Sequence, residues 1–217
     1  MIAPARPNPT FDGLGTCDDT LTAIHRLRYK VYCLEQKFVA MDDCPDALET
    51  DEYDAHATHF AGEDPSGQIV ATVRLVPYTS LGFPLERHAG RLFPEFHQIP
   101  QYRTAEISRL IVDKSYRRDT LRDPRLLLGL LWQVCEESIR AGFECFVAAM
   151  ERGLWRLLQS HGLSWTPVGD KMDYYGEVVP YWSSLDAMRR GYENLTGRLS
   201  SGPAFRYVRV PAAVEAI

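Results

Sequence analysis

No run of ~18 consecutive apolar residues occurs in this sequence, so no segment has the length of an apolar membrane-spanning helix. The opening MIAPARPNPT has no apolar core and does not read as a secretory signal. The five cysteines, Cys17, Cys33, Cys44, Cys135 and Cys145, show no CxxC spacing, and neither HExxH nor a cysteine-rich zinc pattern is found. An odd, unpatterned set of this kind points to a reduced, cytoplasmic setting rather than to a disulfide framework. Positive charge is in deficit as well. With 24 Lys and Arg against 29 Asp and Glu, the net charge is -5, and sequence-independent nucleic-acid binding has no electrostatic footprint here.

What the chain does have is material for a core. Its 217 residues are 45% hydrophobic and 11% aromatic, enough for one domain of ordinary to large size. A loose Pro-rich tail is expected over residues 1–17 and a single folded unit over 18–217.

Leu21, Ile24, Leu27, Val31 and Leu34 recur at three- and four-residue spacing and predict an amphipathic first helix. The acidic stretch DDCPDALETDEYD, residues 42–54, contains Pro45 and reads as a loop. HATHFAGE and QIVATVRLVPY, separated by DPSG, read as a hairpin. Residues 79–103 hold Gly82, Pro84, Gly90, Pro94 and Pro100, too many breakers for a long element, and TAEISRLIVD then reads as a strand. Asp123-Pro124 opens a second helix with Leu128, Leu131, Trp132, Cys135 and Ile139 on its core face. FECFVAAM is of strand length, ERGLWRLLQSHG a short helix ended by Gly162, and residues 164–185 two strands around Gly176. Short hairpins supply antiparallel pairs and helical crossovers need parallel ones, so the expected architecture is an α/β (α+β) mixed central sheet with helices on both faces.

Four segments, RLRYKVYCLEQKF, ETDEYD, VATVRLVP and AEISRLIV, occur in the order and approximate spacing seen in acyl-homoserine-lactone synthases, which have the GNAT-type acyltransferase fold. The chain resembles still more closely the acyltransferases associated with PEP-CTERM/exosortase systems, notably at DYYGEVVPYW, residues 173–182, and is similar to N-acyl amino acid synthases. The resemblance spans about residues 20–180. It maps the family's helix arginine and two aromatics onto Arg28, Tyr32 and Phe38, its loop acids onto Asp51 and Asp54, and its strand residues onto Arg74, Glu106 and Arg109. Tyr32 and Phe38 depart from the Phe and Trp usual in lactone synthases, which bears on the acceptor rather than the fold. The implied activity is transfer of a fatty acyl group from a thioester to a primary amine. No tightly bound cofactor or metal is implied, and the partners would be an acyl carrier protein and a small amine or amino acid.

Strict alternation along residues 104–112 puts Glu106 and Ser108 on one face and Ile107 and Arg109 on the other. Arg109 and Arg28 would then need Asp51 and Asp54 as partners, because a buried cation without them is costly. Glu106 would be left facing the cleft as proton acceptor. Ser108 shares that face and is the second catalytic candidate, though without a GxSxG context a covalent serine mechanism is not expected. Backbone N–H groups from Arg109 to Val112 are the expected oxyanion donors, and Tyr32 and Phe38 would line the acyl or acceptor pocket. Arg74 is either a further member of the charge clamp or a hook for an acceptor carboxylate. His56 and His59 in HATH, three apart on a strand, face opposite ways and make no metal pair.

Acetyl-CoA-using relatives of this fold carry a glycine-containing loop, Q/R-x-x-G-x-G/A, that closes on the pyrophosphate. The corresponding segment here, DKSYRRDTLRDPRLLLG, has no glycine before Gly129. It offers Arg117, Arg118, Arg122 and Arg125, with Arg152 and Arg156 on a later helix, a set suited to docking an acidic carrier protein. Two alternatives stand beside this reading: an acyl-CoA-dependent acetyltransferase and a catalytically silent acyl-binding module.

Overall fold

The computed structural model describes residues 17–117, 124–196 and 205–213. The expected tail thus lies almost wholly outside the described residues. Helix α1 (Cys17–Tyr29) buries Ile24 and Leu27 and then widens into one π-helical turn over Lys30–Glu35. A π turn inserts an extra residue per turn and rotates the side chains after it about the helix axis. Val31 stays buried, but Leu34, expected on the core face, is 49% exposed, and Tyr32 is swung inward instead.

The acidic segment runs as short 3-10 turns into the hairpin of β1 (Thr58–Glu63) and β2 (Ile69–Pro77), joined by the expected Asp64–Gly67 turn. The breaker-rich stretch comes next, as a loop with three more 3-10 turns before β3 (Thr104–Val112). Helix α2 (Arg125–Ala141) begins just after Pro124 and stops at Gly142, whose left-handed φ of 77° is easy only for glycine. Leu128, Leu131 and Cys135 are buried as expected, whereas Ile139 is 47% exposed because it falls past the edge of the helix's apolar stripe. Strand β4 (Cys145–Met150), helix α3 (Arg152–Ser160) and strands β5 (Thr166–Pro167), β6 (Met172–Asp173) and β7 (Glu177–Ser184) come after it, three strands where two were expected. Helix α4 (Leu185–Thr196) and edge strand β8 (Arg206–Val210) carry no clear sequence signal. Tyr207 of β8 lies so close over α2 that a Cβ at Gly129 would fall 2.1 Å from its ring, which accounts for the glycine inside that helix.

The strands join in the order β5-β7-β4-β3-β2-β1-β8, with β6 on β7. Among the described residues only β3 and β4 pair in parallel, and their ladder ends at Glu106↔Val147. Beyond that pair the two strands part. Opposite, β3 carries a bulge: Arg109 and Leu110 together face the single residue Val73 of β2, and Arg109 takes φ 52°.

Before the bulge Ala105 and Ile107 pack in the α2 core, and after it Leu110 and Val112 do. Ile111 instead packs with Leu27 of α1 and Val31 of the π turn. The expected alternation therefore fails at one place. The extra residue returns Arg109 to the side that already holds Glu106 and Ser108, so both charges of the strand belong to one site.

Candidate active site

Three arginines from three elements meet three acids from one loop. Arg28 of α1 donates from Nε to Glu49 (2.5 Å) and from Nη1 and Nη2 to Asp54 (2.7 and 3.1 Å). Arg74 of β2 donates from Nη1 to Asp51 (2.5 Å) and Asp54 (2.6 Å), and from Nε to the Ser108 hydroxyl (3.1 Å). Arg109 of β3 donates from Nη2 to Glu49 and Asp51, both at 2.9 Å. Each acid thus bridges two guanidiniums, and each guanidinium two acids. Such closure is what permits six charges to sit in a core, since an unpaired member would bear its full desolvation penalty.

The pairing departs from expectation in one partner. Glu49, not singled out from the sequence, is the acid shared by Arg28 and Arg109, while Asp51 and Asp54 meet on Arg74. The signal was countable: three buried arginines need a third acid, and ETDEYD supplies it. Arg74 is fully buried with two of its three nitrogens committed inside the network, a clamp position rather than a hook for a bound carboxylate. Burial alone would raise the three carboxyls, but the arginines outweigh it and hold all three below the ordinary carboxylate range.

Glu106 behaves in the opposite way. It is completely buried, accepts the Leu85 N–H at 2.9 Å through Oε2, and finds no partner for Oε1. Burial pushes its carboxyl up to about 8, and the Leu85 N–H, Arg74 and Arg109 offset only part of this. The breaker-rich loop supplies that N–H, and packs Phe83, Leu85 and Phe96 in a core cluster of its own. No ion pair joins Glu106 to Arg74 among the described residues.

A cleft of about 370 Å³ opens where β3 and β4 part. Glu106 stands at its vertex, Arg109–Val112 and Ala148–Met150 form its two walls, and Leu131, Leu154, Leu158 and Trp165 line an apolar arm toward α2 and α3. Tyr32 and Phe38 both border it, as expected, with ring centroids 5.9 Å apart. Two further residues of the site went unassigned in the sequence, Tyr174 and Tyr175, at the β6–β7 turn. Tyr175 stacks on Tyr32 at 5.3 Å and accepts from Arg109 at 3.1 Å, while Tyr174 accepts from Arg109 at 3.4 Å and stacks on His88. Arg109 also lies over the Tyr32 and Tyr175 rings, at 5.2 and 4.6 Å from their centroids. It is the joint between the charge network and the aromatic rim.

Of the basic set, Arg117 borders the cleft but is tied to Glu35 (2.7 Å) and to the Val112 carbonyl (2.8 Å). Arg118 and Arg122 lie outside the described residues. Arg125 is half-buried at the start of α2, and Arg152 and Arg156 are exposed on α3.

His56 and His59 do not pair, but His59 converges with His25 and Asp54, their ligand atoms within 4.8 Å of one another. Both Asp54 oxygens already accept from Arg28, with Arg74 on Oδ1 and the Asp51 N–H on Oδ2, and a cation there would adjoin two guanidiniums. That donor set does not suit a metal. Burial first, and the arginines with it, keeps both imidazoles below their ordinary range, with His59 at about 4.

No curated protein sequence matches the chain. A family model described as an acetyltransferase (GNAT) domain matches residues 27–126, just under half of it. Among solved structures, TofI in a ternary complex with an inhibitor and MTA superposes with a TM-score of 0.63 at 17% identity, covering 81% of this chain and 90% of TofI. The acyl-homoserine lactone (AHL) synthase LasI gives 0.63 at 19%, covering 82% and 89%. BjaI, a CoA-dependent acyl-homoserine lactone synthase solved with SAM and isopentyl-CoA, gives 0.62 at 21%, covering 82% and 83%. No helix among the described residues is long and apolar enough to cross a membrane. The strand order, the parted parallel strands and these superpositions together give this chain the fold of the GNAT-type acyltransferases.

Proposed function

We propose that the protein transfers a fatty acyl group from a carrier-protein thioester to the primary amine of an amino acid or related small molecule. The observation that carries this reading is the position of Glu106 at the vertex of the cleft, where the β3–β4 ladder ends and backbone groups of both strands lack a ladder partner. The thioester lies between the parted strands with its chain in the apolar arm beside Leu131, Leu154 and Leu158. Its carbonyl faces the bulged segment from Arg109 to Val112, whose N–H groups stabilise the oxyanion. Glu106, once deprotonated, accepts the proton of the amine directly or through a water, and the amine attacks the carbonyl. The tetrahedral intermediate collapses with cleavage of the C–S bond, and the carrier thiolate leaves and takes up the proton that Glu106 accepted. Ser108 positions Arg74 and takes no covalent part. The charge network holds α1 and the acid loop across the sheet, so that Tyr32, Phe38, Tyr174 and Tyr175 shape the acceptor side. Kinship with exosortase-associated acyltransferases rests on residues 173–182, the segment that brings in those two tyrosines.

A carrier-protein donor is favoured by the glycine-free connection before α2 and by the exposed arginines of α3. Acyl-CoA is the second reading, favoured by the likeness to BjaI, a CoA-dependent enzyme. Purified protein is supplied with one acyl group as carrier-protein and as CoA thioester, together with a panel of amino acids, and products are read by mass spectrometry. The expected outcome is an N-acyl product with kcat/KM at least ~10-fold higher for the carrier-protein donor. That margin should shrink with added salt and in the Arg152→Glu, Arg156→Glu double variant. Equal or better kcat/KM with acyl-CoA at low salt overturns the carrier reading, and no N-acyl product from any donor overturns the acyltransfer itself.

A further inference from the structure

Two cysteines that the proposed mechanism does not use lie against each other. Cys33, in the π turn after α1, and Cys44, between the first two 3-10 turns of the acidic segment, have their sulfurs 3.4 Å apart, and both are buried. Cys17, Cys135 and Cys145 are also free thiols. The two segments that meet here are those that build the site. One carries Tyr32, a single residue before Cys33; the other leads within five residues to Glu49 and then to Asp51 and Asp54.

We propose that Cys33 and Cys44 are a redox pair whose disulfide ties the π turn to the acid loop and slows acyl transfer. A disulfide needs its sulfurs at ~2.05 Å, so closing the bond brings these two sulfurs more than an ångström nearer and pulls on the segments that carry them. Tyr32 moves with Cys33 and Glu49 with Cys44, and both contact Arg109, so the aromatic rim and the charge network are displaced relative to each other. With a peroxide as oxidant the step balances. One thiolate attacks a peroxide oxygen, giving a sulfenic acid and, after protonation, one water; the second sulfur displaces the hydroxyl group, which leaves as a second water. Both thiol hydrogens end in water, the sulfurs are oxidised to the disulfide and the peroxide is reduced. Burial, together with the neighbouring Cys44, pushes the Cys33 thiol up to about 12, so thiolate is scarce at neutral pH and the reaction quickens as pH rises.

The bond itself is independent of the catalytic reading; its effect on turnover rests on it. The test treats the whole protein with hydrogen peroxide and then counts thiols in denaturant, maps non-reduced peptides and measures turnover. Thiols should fall from five to three, with Cys33 linked to Cys44 and about two mass units lost. Turnover should fall by up to ~10²-fold, as expected for an ångström-scale displacement, and recover with dithiothreitol. Cys44→Ser should keep its turnover through the treatment. Five thiols remaining, or links that use Cys17, Cys135 or Cys145 instead, overturn the pair. A Cys33–Cys44 bond with turnover unchanged overturns the switch. If no acyl donor gives turnover even in the reduced protein, the catalytic reading has failed, while the thiol count and peptide map still decide the pair.

Discussion

The two faces of strand β3 are held by opposite means. Toward α2, Ala105, Ile107, Leu110 and Val112 pack against Leu127, Leu130 and Leu131, where attraction is non-directional and any side chain of suitable volume contributes. Toward α1 and the acid loop, Ser108 and Arg109 enter a closed ring of charges in which every member has specific partners and removing one strands two others. The first face can be repacked; the second holds only if complete. A site that must keep α1 and the acid loop in register over a cleft is better served by the second kind of contact, because a small displacement breaks it.

Neutralising Glu49 should expose that difference most sharply. Glu49→Gln leaves Arg28 and Arg109 each short of a carboxylate in the core, and stability should fall by about 3–5 kcal/mol in chemical denaturation. Asp54→Asn should behave alike, with acyl transfer lost even where the fold survives. A loss under about 1 kcal/mol for Glu49→Gln would break the idea of an all-or-none ring.

Glu106 shares the charged face but lies outside the ring, and it should respond in the reverse sense. Glu106→Gln should slow the chemical step by ~10²-fold or more in single-turnover measurements. Its folded-state pKa is raised, so the stability linked to it is fully present below the ordinary carboxyl range and is lost as pH rises toward about 8. The variant should therefore melt higher than the parent protein, by a margin that widens from pH 4.5 to 8. In the parent, kcat/KM should climb through pH 8 as the carboxyl ionises. A flat pH–rate profile together with unimpaired turnover in Glu106→Gln would remove it as the base.

The apolar face supplies the smallest effect. Val134→Ala trims a fully buried side chain of the α2 core that does not line the cleft and should cost about 2 kcal/mol in the same denaturation experiment, with turnover nearly unchanged. A larger loss of turnover than of stability would mean that the two faces are coupled through the strand.

Much of this was legible in order along the chain. Helix α1, the DPSG hairpin, helix α2 and the β4–α3 unit arise from three- and two-residue periodicities and from Asp, Pro and Gly at their ends. Helix α4 and strand β8 were not legible, since LDAMRRGYENLT and RYVRV carry weak patterns and are held by their packing partners, Tyr192 of α4 stacking on Trp132 and Tyr207 lying across Gly129.

Sequence by itself determined which residue types had to find one another: three arginines and a run of acids in an otherwise apolar setting must pair if they are buried, and a lone glutamate in a strand must go without. Which pairs form was decided only by the tertiary structure. The bulge at Arg109 adds one residue to β3 and reverses every side chain beyond it, and the π turn does the same for α1, moving Tyr32 inward and Leu34 outward. Periodicity assumes a constant repeat, and a single inserted residue in a strand or helix changes the phase without changing the composition. That phase shift is what brings Arg109 to Glu49, Tyr32 to Tyr175 and Cys33 to Cys44.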